Sequence, residues 1–220
     1  MNLSENIARV RADMAALAPG RDVTLVAVTK TRTAQQINPL WEHGVTDIGE
    51  NRVQEWLGKQ DEVLKTFRLH QIGQLQTNKV KYLLPTVVLI HSVDRAELVQ
   101  KIDTLAQRQG LKVDILLQVN TAREPQKAGV SPEELPALAD LAAKCPGVQL
   151  RGLMCVAPLL DDAQLSGAKA AFTQARELFD RMKDGFGPAF DTLSMGMSRD
   201  YRVALACGST MIRVGTTLFQ

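Results

Sequence analysis

A lysine directly follows a strand-like apolar stretch near the start of the chain. Val23–Thr29 reads VTLVAVT and leads straight into Lys30. A lysine amine that is desolvated enough to spend time neutral can form a Schiff base, and the mouth of an apolar barrel could provide that desolvation. The alternative is a lysine that rests its stem on apolar surface and keeps its charge in water, which is the commoner situation. The residues alone leave both interpretations of Lys30 open.

Glycines and small hydroxyl residues are concentrated in two stretches near the other end of the chain. Ser194–Ser198 reads SMGMS and Arg213–Thr217 reads RVGTT. Glycine lets backbone N–H groups approach an anion, and hydroxyl groups add donors. These residue types predict a phosphate site made by Gly196, Gly215, Ser194, Ser198, Thr216 and Thr217. Ser198 could also cap a helix running from Arg199 toward Ala206, which would bring a positive dipole end to the site. The alternative is two tight turns and an ordinary helix cap.

The elements that must position these residues alternate between short apolar stretches and longer segments with helical spacing. Eight stretches rich in Val, Ile and Leu are predicted strands: Val23–Thr29, Val45–Ile48, Leu69–Ile72, Val87–Val93, Val113–Asn120, Val148–Met154, Phe190–Ser194 and Met211–Val214. Such alternation leaves a doubly wound open sheet or a (β/α)8 barrel, and eight strands favour the barrel. We predict one α/β domain over residues 1–220, a compact (β/α)8 TIM barrel with an extra N-terminal helix.

Cap residues indicate where several helices begin. Thr33 with Gln36 fits a capping box, and Asp94 with Glu97 predicts the start of another helix. Ser131–Glu134 reads SPEE, which places a cap, a proline and a glutamate in the order that opens a helix. The helix before the first strand has an apolar side formed by Ile7, Val10, Met14 and Leu17.

Closure of the barrel would bring the two sets of residues together. Active sites of these barrels lie at the C-terminal ends of the strands, and a phosphate site often lies after strands seven and eight. Strand one is the neighbour of strand eight in a closed sheet. We therefore expect Lys30, Arg213 and the phosphate site to share one pocket.

Composition narrows the class of protein. The net charge is +2, too balanced to indicate nucleic acid or a membrane surface as the main partner. Three scattered cysteines argue against a disulfide framework or a zinc site, and for a reducing compartment. The N-terminal stretch lacks the apolar segment of a signal peptide, and no apolar run is long enough to span a bilayer. The three histidines, His43, His70 and His91, show no metal spacing, and His70 is expected to be structural. We expect a cytoplasmic protein.

Six motifs together resemble one known family. They are AVTKT around Lys30, GENRVQE at Gly49–Glu55, IGQLQTNK at Ile72–Lys79, GLM-x-x-AP at Gly152–Pro158, SMGMSRD at Ser194–Asp200 and GSTMIRVGTTLF at Gly208–Phe219. The sequence is similar to the pyridoxal phosphate homeostasis proteins, whose fold resembles the barrel domain of alanine racemase. The departures are Thr29, Arg32, Cys155 and Gln220, none of which is at an expected cofactor contact.

The resemblance implies a set of cofactor contacts. Lys30 would hold pyridoxal 5'-phosphate (PLP) as a Schiff base, and Arg213 would face the pyridine nitrogen. Ser198, Gly215 and Thr216 would hold the phosphate, and Asn51 would lie beside the ring. An arginine at the pyridine nitrogen makes the ring a weak electron sink, because arginine stays charged and only donates.

Three functions remain as hypotheses. The first, implied by the resemblance, is a non-enzymatic PLP-binding protein of vitamin B6 and amino-acid homeostasis that buffers the cofactor or delivers it to apo PLP-dependent enzymes. The second is a PLP-dependent amino-acid racemase, and the third is a sugar-phosphate aldolase that uses Lys30. A racemase needs a second acid–base group opposite Lys30. In the alanine racemases that this barrel resembles, that group is a tyrosine from an additional C-terminal domain of the partner subunit. The only tyrosines here are Tyr82 and Tyr201, and the sequence ends at Gln220 without a second domain, so we expect no racemase. We also expect a monomer.

Overall fold

The computed structural model describes residues 2–124, 127–158 and 165–220, with the side chain of Leu165 left out. Eight parallel strands form a closed barrel in chain order. They are β1 Thr24–Val28, β2 Asp47–Glu50, β3 Arg68–Gln71, β4 Val87–Val93, β5 Val113–Val119, β6 Val148–Cys155, β7 Thr192–Ser194 and β8 Met211–Val214. The β1–β8 seam is closed by four residue pairs, from Thr24 with Met211 to Ala27 with Val214. The predicted barrel is confirmed, and every predicted strand lies within two residues of the observed one at each end.

Helices follow the strands on the outside of the barrel. The α-helices are α1 Leu3–Leu17, α2 Ala34–Ile37, α3 Pro39–Glu42, α4 Val53–Leu57, α5 Val80–Leu83, α6 Ala96–Arg108, α7 Leu135–Ala143, α8 Leu165–Phe186, α9 Tyr201–Ala206 and α10 Thr216–Phe219, and a 3-10 turn spans Thr77–Lys79. Helix α1 is the predicted extra helix before β1. It buries Ile7 and Val10, but Leu17 is 36% exposed, so the predicted apolar side ends before the last turn.

The predicted helix starts have different outcomes. Thr33 and Gln36 form the expected capping box before α2. The start at Asp94 is wrong by one residue, because the extended Arg95 is the N-cap of α6 and the Asp94 carboxylate pairs with the Arg95 guanidinium at 2.6 Å. The Ser131 hydroxyl accepts a hydrogen bond from the Glu134 N–H at 3.3 Å as expected, yet helix α7 begins only at Leu135.

Apolar side chains form two separate layers. The main core lies between the strands and the outer helices and includes Ile48, Ile90 and Phe172. A second, small cluster fills part of the barrel interior and consists of Val26, Leu89, Leu116, Met154 and Met211. Because side chains alternate across a strand, residues that pair with members of this cluster also face the interior. Among the described residues, the longest helices are too short or too polar to cross a lipid bilayer.

Candidate functional site

Lys30 lies in a turn at the mouth of the barrel. Strand β1 ends at Val28, so Lys30 follows it by two residues instead of directly, as predicted from Val23–Thr29. The backbone turns sharply there, since Thr31 has a φ of 61°. The side chain of Lys30 is exposed. The desolvation expected of a Schiff-base amine is therefore not present in the unliganded chain, and a bound molecule would have to supply it.

The turn that carries Lys30 accepts hydrogen bonds from a second lysine. The Lys59 ammonium donates to the carbonyl oxygens of Thr29 and Arg32 at 2.9 and 3.2 Å. It also forms an ion pair with Glu50, 2.8 Å away, whose side chain is completely buried. Burial raises the pKa of Glu50, and the Lys59 charge with the Thr29 hydroxyl opposes that rise. The backbone on both sides of Lys30 is thus fixed by a buried ion pair, while the Lys30 side chain stays accessible.

Arg213 lies inside the barrel on β8. Its partner across the seam is Val26 of the interior cluster, so the guanidinium also faces inward. The terminal nitrogens donate to the Ser194 hydroxyl at 2.6 Å and to the Cys155 carbonyl at 3.0 Å. Burial lowers the pKa of Arg213 to about 10, which still leaves it a cation at neutral pH. Arg213 is thus a fixed, 3% exposed positive charge.

A line of buried polar side chains continues from Arg213 across the barrel. Ser194 Oγ lies 3.0 Å from His91 Nδ1, and His91 Nε2 lies 2.9 Å from His70 Nδ1. His70 Nε2 lies 2.8 Å from the Asp47 carboxylate. His91 is fully buried, and burial together with the nearby charges of His70 and Arg213 puts its pKa well below the usual range. These buried contacts agree with the expectation that His70 is structural, but the sequence did not indicate a connected line.

Asp47 ends this line as a carboxylate. Burial would raise its pKa, but hydrogen bonds from His70 and Thr46 and the charge of Arg68 outweigh burial, so its pKa lies below the usual value. The Arg68 guanidinium is 3.3 Å from the Asp47 carboxylate. Asp47 is the first residue of β2 and lies toward the N-terminal end of the barrel, away from Lys30.

The loop after β7 meets the start of α10. Ser198 Oγ accepts hydrogen bonds from the backbone N–H groups of Gly215 and Thr217 at 3.1 and 3.3 Å. The loop turns tightly at Gly196, where φ is 95° and an added Cβ would lie 2.5 Å from the Ala204 side chain. Backbone donors and a hydroxyl therefore meet at one point, in the arrangement expected of an anion site.

Two expectations about this loop are wrong. Ser198 does not cap the following helix, because α9 begins at Tyr201 with Asp200 as its N-cap residue, and the Asp200 carboxylate accepts the Met197 N–H at 2.5 Å. Ser194 does not belong to the phosphate site either. It is the last residue of β7, fully buried, and its hydroxyl contacts His91 and Arg213. Strand parity, which turns Ser194 inward, was the signal that could have separated it from Ser198.

The seam brings the remaining predicted residues to the same end of the barrel. A Cβ on Gly215 would lie 3.2 Å from the Val28 side chain, two residues before Lys30, so the loop after β8 packs against the end of β1. Thr216 is exposed and opens α10. Asn51 directly follows β2, and its carbonyl accepts the Gln71 side-chain amide at 3.1 Å. Gly73 fits beside it only without a Cβ, which would lie 2.4 Å from the Asn51 carbonyl.

The structure is a closed parallel barrel with a lysine at its mouth, an interior arginine on the strand across the seam and a hydroxyl-rich loop after β7. Its fold is that of the alanine racemase N-terminal domain class. The family model with that description matches residues 1–220. The chain belongs to this family and, within it, to the pyridoxal phosphate homeostasis proteins. The protein of that name from Aquifex aeolicus is 40% identical over 100% of this chain and 98% of its own length. The one from Pseudomonas aeruginosa is 40% identical over 99% and 94%.

A solved relative has the same architecture over its full length. PipY from Synechococcus elongatus, in a structure described as having PLP bound, is 36% identical, with a TM-score of 0.88 and 100% of both chains covered. The whole barrel, including the seam between β8 and β1, is therefore shared with a chain of the same extent.

Proposed function

We propose that this protein binds PLP through a Schiff base with Lys30 and serves intracellular PLP and amino-acid homeostasis by buffering or delivering the cofactor. The observation that carries the proposal is the full-length match to PipY with PLP bound, combined with the placement of Lys30, Arg213 and Ser198 at one end of the barrel. In this proposal the Lys30 amine condenses with the PLP aldehyde and one water molecule is released.

The residues present fit the cofactor. The phosphate dianion would take the N–H groups of Gly215 and Thr217 that the Ser198 hydroxyl now accepts, with Ser198 and Thr216 as hydroxyl donors. Arg213 is held so that its guanidinium faces the barrel interior, where it would donate to the pyridine nitrogen. Asn51 would lie beside the ring. PLP in general supplies an electron sink for carbanion chemistry, and Arg213 keeps that sink weak because it donates a hydrogen bond but retains its proton.

The placement of the tyrosines favours a non-enzymatic role over racemization. The Tyr201 hydroxyl donates to the Asp13 carboxylate on α1, so this side chain points away from the barrel interior. Tyr82 belongs to α5 and is 43% exposed. Neither tyrosine in the described structure is placed to act as the second acid–base group opposite Lys30. We therefore propose that the protein catalyses no racemization.

Chemical reduction tests the covalent link. Borohydride treatment of the yellow holoprotein, followed by peptide mapping, is expected to place the reduced adduct on Lys30. Lys65→Ala, at a lysine whose side chain is 72% exposed, is the control and should give the same adduct as wild type. An adduct on any other lysine would refute the assignment. A protein that stays colourless with PLP but is reduced onto Lys30 with a sugar phosphate would support the aldolase hypothesis instead.

The homeostatic role needs separate experiments. Holoprotein mixed with an apo PLP-dependent enzyme and a trap for free PLP should activate the enzyme faster than PLP is released into solution, if delivery is direct. Activation at the rate of free release would reduce the role to buffering. Incubation with L-alanine in heavy water should leave the α-proton unexchanged, and Lys30-dependent exchange at enzyme-like turnover would support the racemase alternative.

A further inference from the structure

The interior of this barrel contains a connected line of polar groups where a packed apolar core is usual. Interiors of such barrels are dominated by branched aliphatic side chains. Here the line from Asp47 through His70, His91 and Ser194 to Arg213 runs beside the small apolar cluster. All five side chains are less than 10% exposed. Burying polar groups is costly unless each is hydrogen-bonded, so a line of this length requires complete pairing.

The donors and acceptors in the line fit one direction. Arg213 can only donate, so Ser194 Oγ accepts from it, and the Ser194 proton is then available for His91 Nδ1. A neutral His91 that accepts at Nδ1 carries its proton on Nε2 and donates to His70 Nδ1. A neutral His70 then donates from Nε2 to the Asp47 carboxylate. Every proton in the line points away from Arg213 and toward the negative charge at Asp47.

The far end of the line reaches a different part of the molecule. His70 and Arg68 line a cavity of 320 Å³ at the N-terminal ends of the strands. The other charged residues that line it are Asp22, Asp114, Arg151 and Asp191, and Arg151 joins Asp114 and Asp191 through ion pairs of 2.6 and 2.7 Å. Asp47 is thus the carboxylate that the line connects to Arg213, while those acidic residues on β5 and before β7 are already paired.

We propose that His91, His70 and Asp47 are positioning residues for Arg213, which fix the direction of its guanidinium and the charge that it presents to the PLP ring. This inference rests on the proposed function, because it assigns Arg213 to the ring. The mechanism is local at each step. The Ser194 hydroxyl has a fixed orientation toward Arg213 when it donates its proton to His91, and His91 keeps the required tautomer when His70 accepts from it. Asp47 sets the direction of the whole line.

Histidine tautomers in the protein without cofactor give the first test. Nitrogen-15 NMR should find the proton of His91 on Nε2 and His70 accepting it at Nδ1. In Asp47→Asn the line loses its terminal charge, and at least one of the two histidines should change its tautomer population. A wild-type His91 that carries its proton on Nδ1 would overturn the proposed direction.

The second test reads the effect at the cofactor. The pH midpoint of the colour change of bound PLP should fall by about half a unit in Asp47→Asn, because loss of a negative charge disfavours the protonated Schiff base. His91→Asn keeps a contact to Ser194 but is too short to reach His70. In the His91→Asn background, Asp47→Asn should shift the pH midpoint by less than half as much as it does in the otherwise wild-type protein. Met154→Leu, in the apolar interior cluster, is the matched control and should leave the midpoint unchanged.

The outcomes separate the inference from the proposed function. An Asp47→Asn shift that is equal in both backgrounds would show that the charge acts through space and would overturn the relay, as would the absence of any shift. A wild-type protein that forms no adduct with PLP would remove the proposed function, and with it the role toward the ring. The tautomers of the cofactor-free protein would in that case still decide whether the line has the assigned direction.

Discussion

The exposed rim around Lys30 and the buried interior around Arg213 are organised in opposite ways. At the rim, Lys59 donates hydrogen bonds to the backbone on both sides of Lys30, but the Lys30 side chain is exposed. In the interior, the Arg213 side chain itself is held by Ser194 and the Cys155 carbonyl. This difference suits the proposed function, in which Lys30 needs an accessible amine to form a covalent bond and Arg213 must already be oriented when the ring arrives. Substitutions can therefore separate binding from stability.

Loss of the Lys30 amine should have the largest effect on binding and almost none on the fold. Lys30→Ala is expected to abolish the reducible adduct and leave only weak, phosphate-driven binding of PLP. Because the side chain is exposed, the free energy of unfolding should change by less than about 0.5 kcal/mol. Absorbance titration with PLP and urea unfolding measure the two effects. A Lys30→Ala protein that is still yellow with PLP would contradict the division between rim and interior.

Truncation of Arg213, unlike that of Lys30, should strongly lower the free energy of unfolding. Arg213→Ala leaves a cavity in the barrel and removes the donors to Ser194 and the Cys155 carbonyl, so it should destabilise the cofactor-free protein by about 3 kcal/mol. Arg213→Lys keeps the charge but not the two-nitrogen geometry, and should restore only part of that loss. Urea unfolding without PLP makes the measurement. Equal stabilities of Arg213→Ala and Lys30→Ala would remove the contrast between the two regions.

Loss of the two hydroxyl groups proposed to hold the phosphate should have an intermediate effect on PLP binding. Ser198→Ala with Thr216→Ala removes two hydroxyl donors to a dianion, and bonds to charged groups contribute roughly 1.5–3 kcal/mol each. The affinity for PLP should therefore fall at least tenfold. Thr192→Ala, a hydroxyl residue at the opposite end of the barrel, is the control. An unchanged PLP affinity in the double variant would place the phosphate elsewhere.

Acid should lower the free energy of unfolding gradually. The depressed pKa of His91 means that the unfolded chain binds a proton before the folded chain does as the pH falls. This contribution to stability is present above the unfolded pKa of about 6.5 and is lost below it, at up to about 1.4 kcal/mol per pH unit. Asp47, also with a lowered pKa, adds a further loss below about pH 3.9. Urea midpoints of the cofactor-free protein between pH 7.5 and 5 should fall in wild type and His43→Asn, but much less in His91→Asn.

Local sequence patterns predicted the barrel, but not the contacts inside it. Apolar runs of the right length identified the strands, and closure followed from their number. The burial of Asp47 and Glu50 was harder to predict, because each is a polar residue that depends on a partner outside its own strand. Asp47 pairs with His70, and Glu50 pairs with Lys59. The line through His91 and Ser194 was missed for the same reason, since its hydrogen bonds join residues on five different strands. Thr33 with Gln36, by contrast, was predictable because both partners lie within one turn.

The seam between β1 and β8 also sets an order of events during synthesis. Lys30 leaves the ribosome with the first strand, but Arg213 and Gly215, on the other side of the seam, are made more than 180 residues later. At synthesis rates of roughly 5–20 residues per second, about 10–40 s separate Lys30 from its partners. Pairing of the first strand with the last joins residues far apart in the sequence, and such non-local pairings slow folding. Under the proposed function, a nascent chain therefore exposes the Lys30 amine long before the residues that would hold the cofactor are present, and the site forms only after the loop that follows β8 has been released.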